Sequence, residues 1–439
     1  MKHRFEWFAN AKKRAVAGWC MYDWANSAFA VVVLTAFFPF LFKSFWDVGA
    51  DSALNTARLG MGDSVSGLCV AFLSPLMGAL ADAGKAKKKF LVFFMLLGTL
   101  ATGAISLVGG GGWEAAILLF IFANIGFASG NLFYDSLLVD VAAENEMDYV
   151  SSNGYATGYI GGGLLFAFDV VLVVFWKKIG LTSQVQATRI GFASVAAWWF
   201  VFSAPLILYV NERRLLSHNN LFSIIMNGFQ RLKTTSIKIM HNRQMILFIV
   251  AFWLYMDGVY TVITMSVNFG LSIGITAQTL MITILLVQFV AFPASIGFGR
   301  LARSIGGGTA ILIGIATYIV VCACGFFILR TPTQFVILAC LVGMVQGGVQ
   351  ALSRSYFAKI VPAEDSAEYF GFLNLISRFS IVLGPVLVGG TTLVCRRIGA
   401  AESLSVRLGM SSITVMFMAG GLLLLLAERE KRRARSITA

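Results

Sequence analysis

The feature that most constrains this chain is the alternation of long apolar runs with short charged turns. Runs apolar enough to cross a bilayer fall at about 15–43, 59–81, 89–109, 114–141, 153–176, 190–210, 245–270, 276–299, 308–329, 333–358, 369–393 and 407–427. Backbone surrounded by hydrocarbon finds no water to bond, so each run has to satisfy its N–H and C=O groups internally, as a helix. Composition agrees. Charged residues make up 13% and hydrophobic residues 58% of the 439, where a soluble domain carries about 25% and about 45–50%. The expected fold class is an all-α membrane protein with twelve transmembrane helices.

A net charge of +13 would suit nucleic acid, but its placement follows another rule. Lys and Arg concentrate in the N-terminus, the 82–89 turn, the 211–244 segment, the 300–307 turn, the 359–368 loop and the tail AEREKRRARSITA. The opposite set of turns is much poorer in them. By the positive-inside bias both termini and the 211–244 segment are cytoplasmic, and no nucleic-acid partner is expected. The N-terminal MKHRFEWFANAKKR lacks the apolar core and cleavage site of a signal peptide, so the first span is expected to be retained. His3, His218 and His241 lie in polar segments, and Cys322-Ala-Cys324 has the wrong spacing for CxxC chemistry. No metal site, cofactor or disulfide framework is expected.

The 211–244 segment is the one long polar stretch, and it splits the chain into six spans plus six. This gives an N-terminal half, 1–210, a basic linker, 211–244, and a C-terminal half, 245–439, with its basic tail. The halves echo each other. FLSPLMGALADAGKAKKK (72–89) is matched by FPASIGFGRLARSIGGG (292–308), and GNLFYDSLLVD (130–140) by VQALSRSYFAK (349–359). YDWANSAF (22–29) faces MDGVYTVI (256–263), which sets Asp23 opposite Asp257. Two parallel six-helix repeats place a binding site between the halves, near the midplane.

The turn GALADAGKAKKKF (78–90) resembles the loop between the second and third helices of the major facilitator superfamily, where a Gly-x-x-x-Asp step precedes a basic run at the cytoplasmic gate. YDWANSAF, SSNGYATGYIGG (151–162) and GGVQALSRSYFAKIVP (347–362) resemble the branch of autophagy-related vacuolar effluxers and their bacterial relatives. The resemblance covers essentially the whole chain. It implies a ligand-transporting major facilitator fold and, through the vacuolar members, amino-acid efflux. It also points to a bacterial cell membrane. Two features depart from the drug–proton antiporters of the superfamily. The fourth span has no arginine, and Gly-Pro occurs at Gly384-Pro385 in the eleventh span instead of the fifth.

An aspartate at the centre of a membrane helix costs about 2.5–3.5 kcal/mol on insertion scales, so Asp23 and Asp257 each require a reason. Helical spacing puts Asp23, Asn26, Ser27 and Ala30 on one face, and Asp257, Tyr260, Thr261, Thr264 and Asn268 on another. Such stripes should line the bundle interior or a watery cavity. The expected substrate and proton cavity is Asp23, Asn26, Tyr22, Asp257, Tyr260, Thr261, Asn131 and Gln350. Asn124, Asn131 and Asp135 share a face of the fourth span, and Gln346, Gln350, Ser353 and Arg354 share one of the tenth. The expected cytoplasmic gate is Asp82, Asp135, Arg354, Arg378 and Tyr159, with Asp135 pairing with Arg354 or Arg378. Trp19, Trp24, Trp198 and Trp199 are expected as interfacial anchors, and glycines 161–163 and 347–348 as close-packing positions.

These residues predict a monomeric secondary transporter that moves a small polar solute by alternating access, with protons as coupling ion. With no ATP-binding motif, a gradient is expected to drive it, facilitated diffusion being the alternative. Amino acids and export are what the resemblance adds. The alternatives are a lipid translocator or a non-transporting receptor on the same fold. Remoter still is an intramembrane aspartyl protease, whose second site would read Gly-x-Gly-Asp where this chain has Met256-Asp257-Gly258.

Overall fold

The computed structural model describes residues 11–212, 233–272, 274–379 and 383–438. Most of the expected linker and the extreme termini lie outside them. Among the described residues there is no strand, and twelve helices are long and apolar enough to span a membrane. They are α1 (Ala11–Trp46), α2 (Leu54–Gly84), α3 (Lys87–Ile105), α4 (Trp113–Val141), α5 (Met147–Val174), α6 (Gln184–Tyr209), α7 (Arg243–Val267), α8 (Thr279–Ile305), α9 (Gly307–Phe327), α10 (Pro332–Ile360), α11 (Ala363–Arg397) and α12 (Leu404–Arg433). Fully apolar side chains such as Phe72, Leu100, Leu107 and Phe327 stand more than two-thirds exposed. Facing water they would be a liability; in lipid they meet their own kind.

Helix ends follow the local sequence. Asp51, Ser183, Thr276 and Thr331 each accept a main-chain N–H in the first turn of α2, α6, α8 and α10. Gln334 completes a capping box with Thr331, next to Pro332 at the first helical position. Lys85 closes α2 in the left-handed region, at φ 49°. Prolines 75, 205 and 293 sit inside α2, α6 and α8, where membrane helices tolerate them.

α1 is irregular. After the α-helical Ala11–Ala28 it widens into a π-helix at Phe29–Phe37, returns to α over Phe38–Leu41 and widens again at Phe42–Trp46. Its far end is held by aromatic packing of Phe38 on Phe120, Phe42 and Trp46.

The chain divides into two compact units. Unit 1 holds residues 1–143, 157–229 and 362–374; unit 2 holds 144–156, 230–361 and 375–439. The start of α5 therefore groups with the C-terminal helices, and the start of α11 with the N-terminal ones. In unit 1, α3 packs along α4 and α6, and α1 along α6; in unit 2, α7 packs along α12, and α10 along α8 and α9.

Candidate functional site

Within unit 1, α1 and α4 meet through polar groups. Tyr134 donates its hydroxyl to Asp23 Oδ2 at 2.8 Å, and Asn26 Nδ2 donates to Asn131 Oδ1 at 2.5 Å. Trp19 stacks on Tyr134 at 4.4 Å between centroids and donates its indole N–H to the Tyr134 carbonyl. Tyr22 is fully buried, tilted against Tyr134, with its hydroxyl over Gly130. Asp23 keeps 8% of its surface and Asn26 2%. In this conformation both side chains are bonded across the α1–α4 seam. Asn131 is half-buried. Ala30 falls in the π-helical stretch, so the simple wheel that grouped it with Asp23 ends at Ala28.

Within unit 2, Asp257 is wholly buried on α7. Gly384 N–H of α11 donates to both of its carboxylate oxygens, at 3.0 and 3.1 Å, and Thr261 Oγ1 adds a bond at 3.3 Å. The local sequence explains this. Pro385 has no N–H to offer, and the N–H of the preceding Gly384 takes Asp257 as its acceptor. A β-carbon on Gly384 would collide with Thr261 Oγ1 and stand 2.7 Å from Asp257. Thr261 is buried; Tyr260 and Gln350 are half-buried. The side chain of Asn268 lies outside the described residues.

Two of the expected gate residues, Asp82 and Arg354, fall into separate docks. In unit 1, Asp82 at the end of α2 accepts the main-chain N–H of Glu368, in the first turn of the Ser366–Phe379 stretch of α11, at 2.7 Å. Free N–H groups and the helix dipole both favour a carboxylate there. Buried Lys87 lies 3.6 Å from Asp82 and 3.3 Å from Asp140, and donates to Ser366 Oγ at 2.7 Å. Gly78 permits the contact, since a β-carbon there would overlap the Ala367 carbonyl.

In unit 2, the start of α5 docks on α10. Arg354 donates from Nε to Ser151 Oγ at 2.8 Å and from Nη2 to the Ser151 carbonyl at 2.9 Å, and lies over the Tyr155 ring. Asp148 accepts from Ser355 Oγ and Lys359 Nζ, each at 2.6 Å. Arg303, the repeat counterpart of Asp82, lies over the Tyr149 ring at 4.3 Å. Asp135, Tyr159 and Arg378 are half-buried.

Other expectations change. Asn124 donates to Ser66 and Asp63 of α2. Ser353 of α10 bonds Tyr255 at 2.7 Å. Trp19 and Trp199 are fully buried and Trp24 stacks on Trp198, so these rings build the bundle and are not interfacial anchors. An apolar pocket in unit 2, lined by Val262, Ser266, Phe269, Cys322, Phe335 and Met410, contains none of the expected site residues. Among the described residues no His/Cys/Asp/Glu group could hold a metal.

Sequence reasoning passed over Tyr134, Gly384's N–H, Lys87, Asp148, Ser151 and Glu212. Glu212, just after α6, accepts the main-chain N–H of Lys87 and Lys88 and so caps α3. Burial pushes its carboxyl above the ordinary glutamate value, against the pull of those N–H donors and of Lys87.

Residues 59–436 match the family model described as vacuole effluxer Atg22 like. The uncharacterized MFS-type transporter YxiO of Bacillus subtilis (strain 168) is 39% identical, over 85% of this chain and 87% of its own length. Autophagy-related protein 22 of Coccidioides immitis (strain RS) is 23% identical, over 97% of this chain and 88% of its own. Among solved structures, the human organic anion transporter MFSD10 (TETRAN) superposes with a TM-score of 0.65 over 94% of this chain and 99% of its own, and the proton:xylose symporter XylE with 0.69 over 97% and 96%; both are 12% identical. At that identity the likeness is one of fold: the twelve helices are those of the major facilitator superfamily (MFS).

Proposed function

Because this chain belongs to the Atg22-like vacuole effluxer family, a family of MFS-type membrane transporters, we propose that it is a proton-coupled secondary transporter. It exports a small polar solute, with amino acids as the substrate class, from a bacterial cell with both termini in the cytoplasm. The observation that carries this reading is Asp257: a buried carboxyl on α7 whose bonds come from neutral donors, the Gly384 N–H and the Thr261 hydroxyl. Two N–H contacts on its two oxygens suit a carboxylate, which only accepts. Proton uptake would spend one acceptor and loosen α11 from α7, so protonation and helix position are coupled.

The gate is the second part of the proposal. Asp135 pairs with Arg354 or Arg378 while the inner side is shut, and Asp82 and Tyr159 brace the same end. Stranding one member of a buried pair costs about 3–5 kcal/mol, enough to redistribute a two-state transporter by several hundredfold. Exchanging Asp135 and Arg354 tests the pairing: each single change should impair flux and the exchange should restore part of it. No recovery would rule that partner out.

The decisive measurement is flux of labelled amino acids in vesicles holding the purified protein, with and without a pH gradient. Gradient-dependent movement of at least one amino acid is expected. Silence across the set overturns the substrate class, and flux indifferent to the gradient overturns proton coupling.

A further inference from the structure

Asp169, on α5 near the end opposite its gate dock, has no part in either constellation. It is wholly buried in unit 1, between α5, α6 and the π-helical stretch of α1. Its Oδ1 lies 2.9 Å from Ser194 Oγ on α6, and its Oδ2 is buried with no partner. The same Ser194 Oγ lies 2.8 Å from the Gly191 carbonyl. A serine hydroxyl owns one proton, and a carbonyl can only accept. That one proton goes to Asp169 Oδ1 or to the Gly191 carbonyl, so Ser194 gives the carboxyl at most one shared hydrogen bond. Asp169 Oδ2 holds no donor at all, and Oδ1 at most one shared with a carbonyl.

The surroundings agree. A carboxylate stripped of water with one bare oxygen and no cation is a costly object. The charged residues nearest in sequence are engaged elsewhere: Lys177 and Lys178 lie over the rings of Trp176 and Phe175, and Arg189 donates to the Ser106 carbonyl. Packed against the site from α1 is Phe37, whose ring would meet a β-carbon on Gly191, and from α6 Phe192. No charged side chain faces the carboxyl from α1, α5 or α6. The contacting part of α1 is π-helical, a geometry concentrated at functional positions.

We propose that Asp169 is a proton-binding site of the transport cycle, occupied in this conformation as a neutral acid, and that its proton is released when α1 and α6 part. This rests on the proton-coupled reading above and adds a second carboxyl to it, complementary to Asp257. Both oxygens of Asp257 accept from neutral donors while Asp169 keeps one oxygen bare, so in this conformation the first site is empty and the second filled.

The test begins without any solute. Infrared spectra of the purified protein, in water and in deuterium oxide at neutral pH, should show a protonated-carboxyl carbonyl band that Asp169→Asn removes. Ser194→Ala should shift that band by removing the hydroxyl that bonds the carboxyl. A band unchanged in Asp169→Asn overturns the proposal. The isosteric amide keeps the packing, and gel-filtration behaviour like that of the wild type verifies the fold.

The second arm uses vesicles with a trapped pH dye and labelled amino acids. Asp169→Asn should retain flux but lose its pH dependence, whereas Asp257→Asn, with the Asp169 band intact, identifies effects of the other carboxyl. Wild-type pH dependence in Asp169→Asn overturns the role in the cycle, as does a response that follows sodium at fixed pH. If the wild type itself moves amino acids without regard to pH, it is the proton-coupled reading that fails, and the wild type alone reveals it.

Discussion

Asp23 and Asp257 stand at matching places in the two halves of the sequence, yet they are held by different kinds of donor. Asp23 takes a phenol hydroxyl from Tyr134 of α4, and Asp257 takes a main-chain N–H from Gly384 of α11. A hydroxyl can rotate to another acceptor; a main-chain N–H fixed in a helix cannot. The repeat thus conserved the position of a carboxyl while the two units gave it different work. On α1 it joins a polar and aromatic seam, and on α7 it holds the main chain of α11 beside a proline.

Gly384→Ala should have the largest effect, because its β-carbon overlaps Thr261 Oγ1. Overpacking of this kind costs about 1–3 kcal/mol, and flux should fall with thermal stability in detergent. Adding Thr261→Ala should recover part of the loss; no recovery would mean the crowding lies elsewhere. Asp257→Asn should come next. An amide can offer one oxygen where the carboxylate offered two, and its NH2 confronts the Gly384 N–H, at about 1–3 kcal/mol for an unsatisfied buried group. Asp23→Asn should cost clearly less, since the Tyr134 hydroxyl can still donate to the amide oxygen. Equal melting temperatures for the two variants would break the comparison. Tyr134→Phe should be milder again, about 1 kcal/mol, with the Trp19 stacking kept.

Glu212→Gln should be the smallest effect and is read against pH. Burial raises this carboxyl above its ordinary value, so the folded protein favours its protonated form. The group's contribution to stability is complete below the unfolded value and is lost as pH rises through the folded one. The glutamine variant should therefore gain on the wild type as pH climbs through that range, in parallel melting series. A constant difference would show that Glu212 does not titrate differently on folding.

Much of this molecule could be read from residue order alone. The spans follow from the cost of bare backbone in lipid, and Asp23 and Asp257 stood out through the cost of a carboxyl there. Partners supplied by other helices could not be read. Nothing in YDWANSAF announces Tyr134, and nothing in MDGVYTVI announces a main-chain N–H more than a hundred residues away. Asp169 carried the same signal as Asp23, an acid in an apolar run (FAFDVVLVVF), and was missed because it sits near a span end and has no repeat counterpart. The tryptophans misled for a simpler reason. Their amphipathic rings suit both an interface and a core with a carbonyl to bond, and composition cannot choose between them.

The widened stretch of α1, Phe29–Phe37, bears on how this chain can vary in length. A π-helical turn holds one more residue than an α-helical turn over nearly the same rise. Removing one residue inside it returns the helix to ordinary geometry and keeps both flanks facing as they did. Removing one from Ala11–Ala28 instead rotates Asp23 and Asn26 away from α4. Helix α1 therefore contains slack in its widened stretches, where a one-residue deletion is absorbed, and none over Ala11–Ala28.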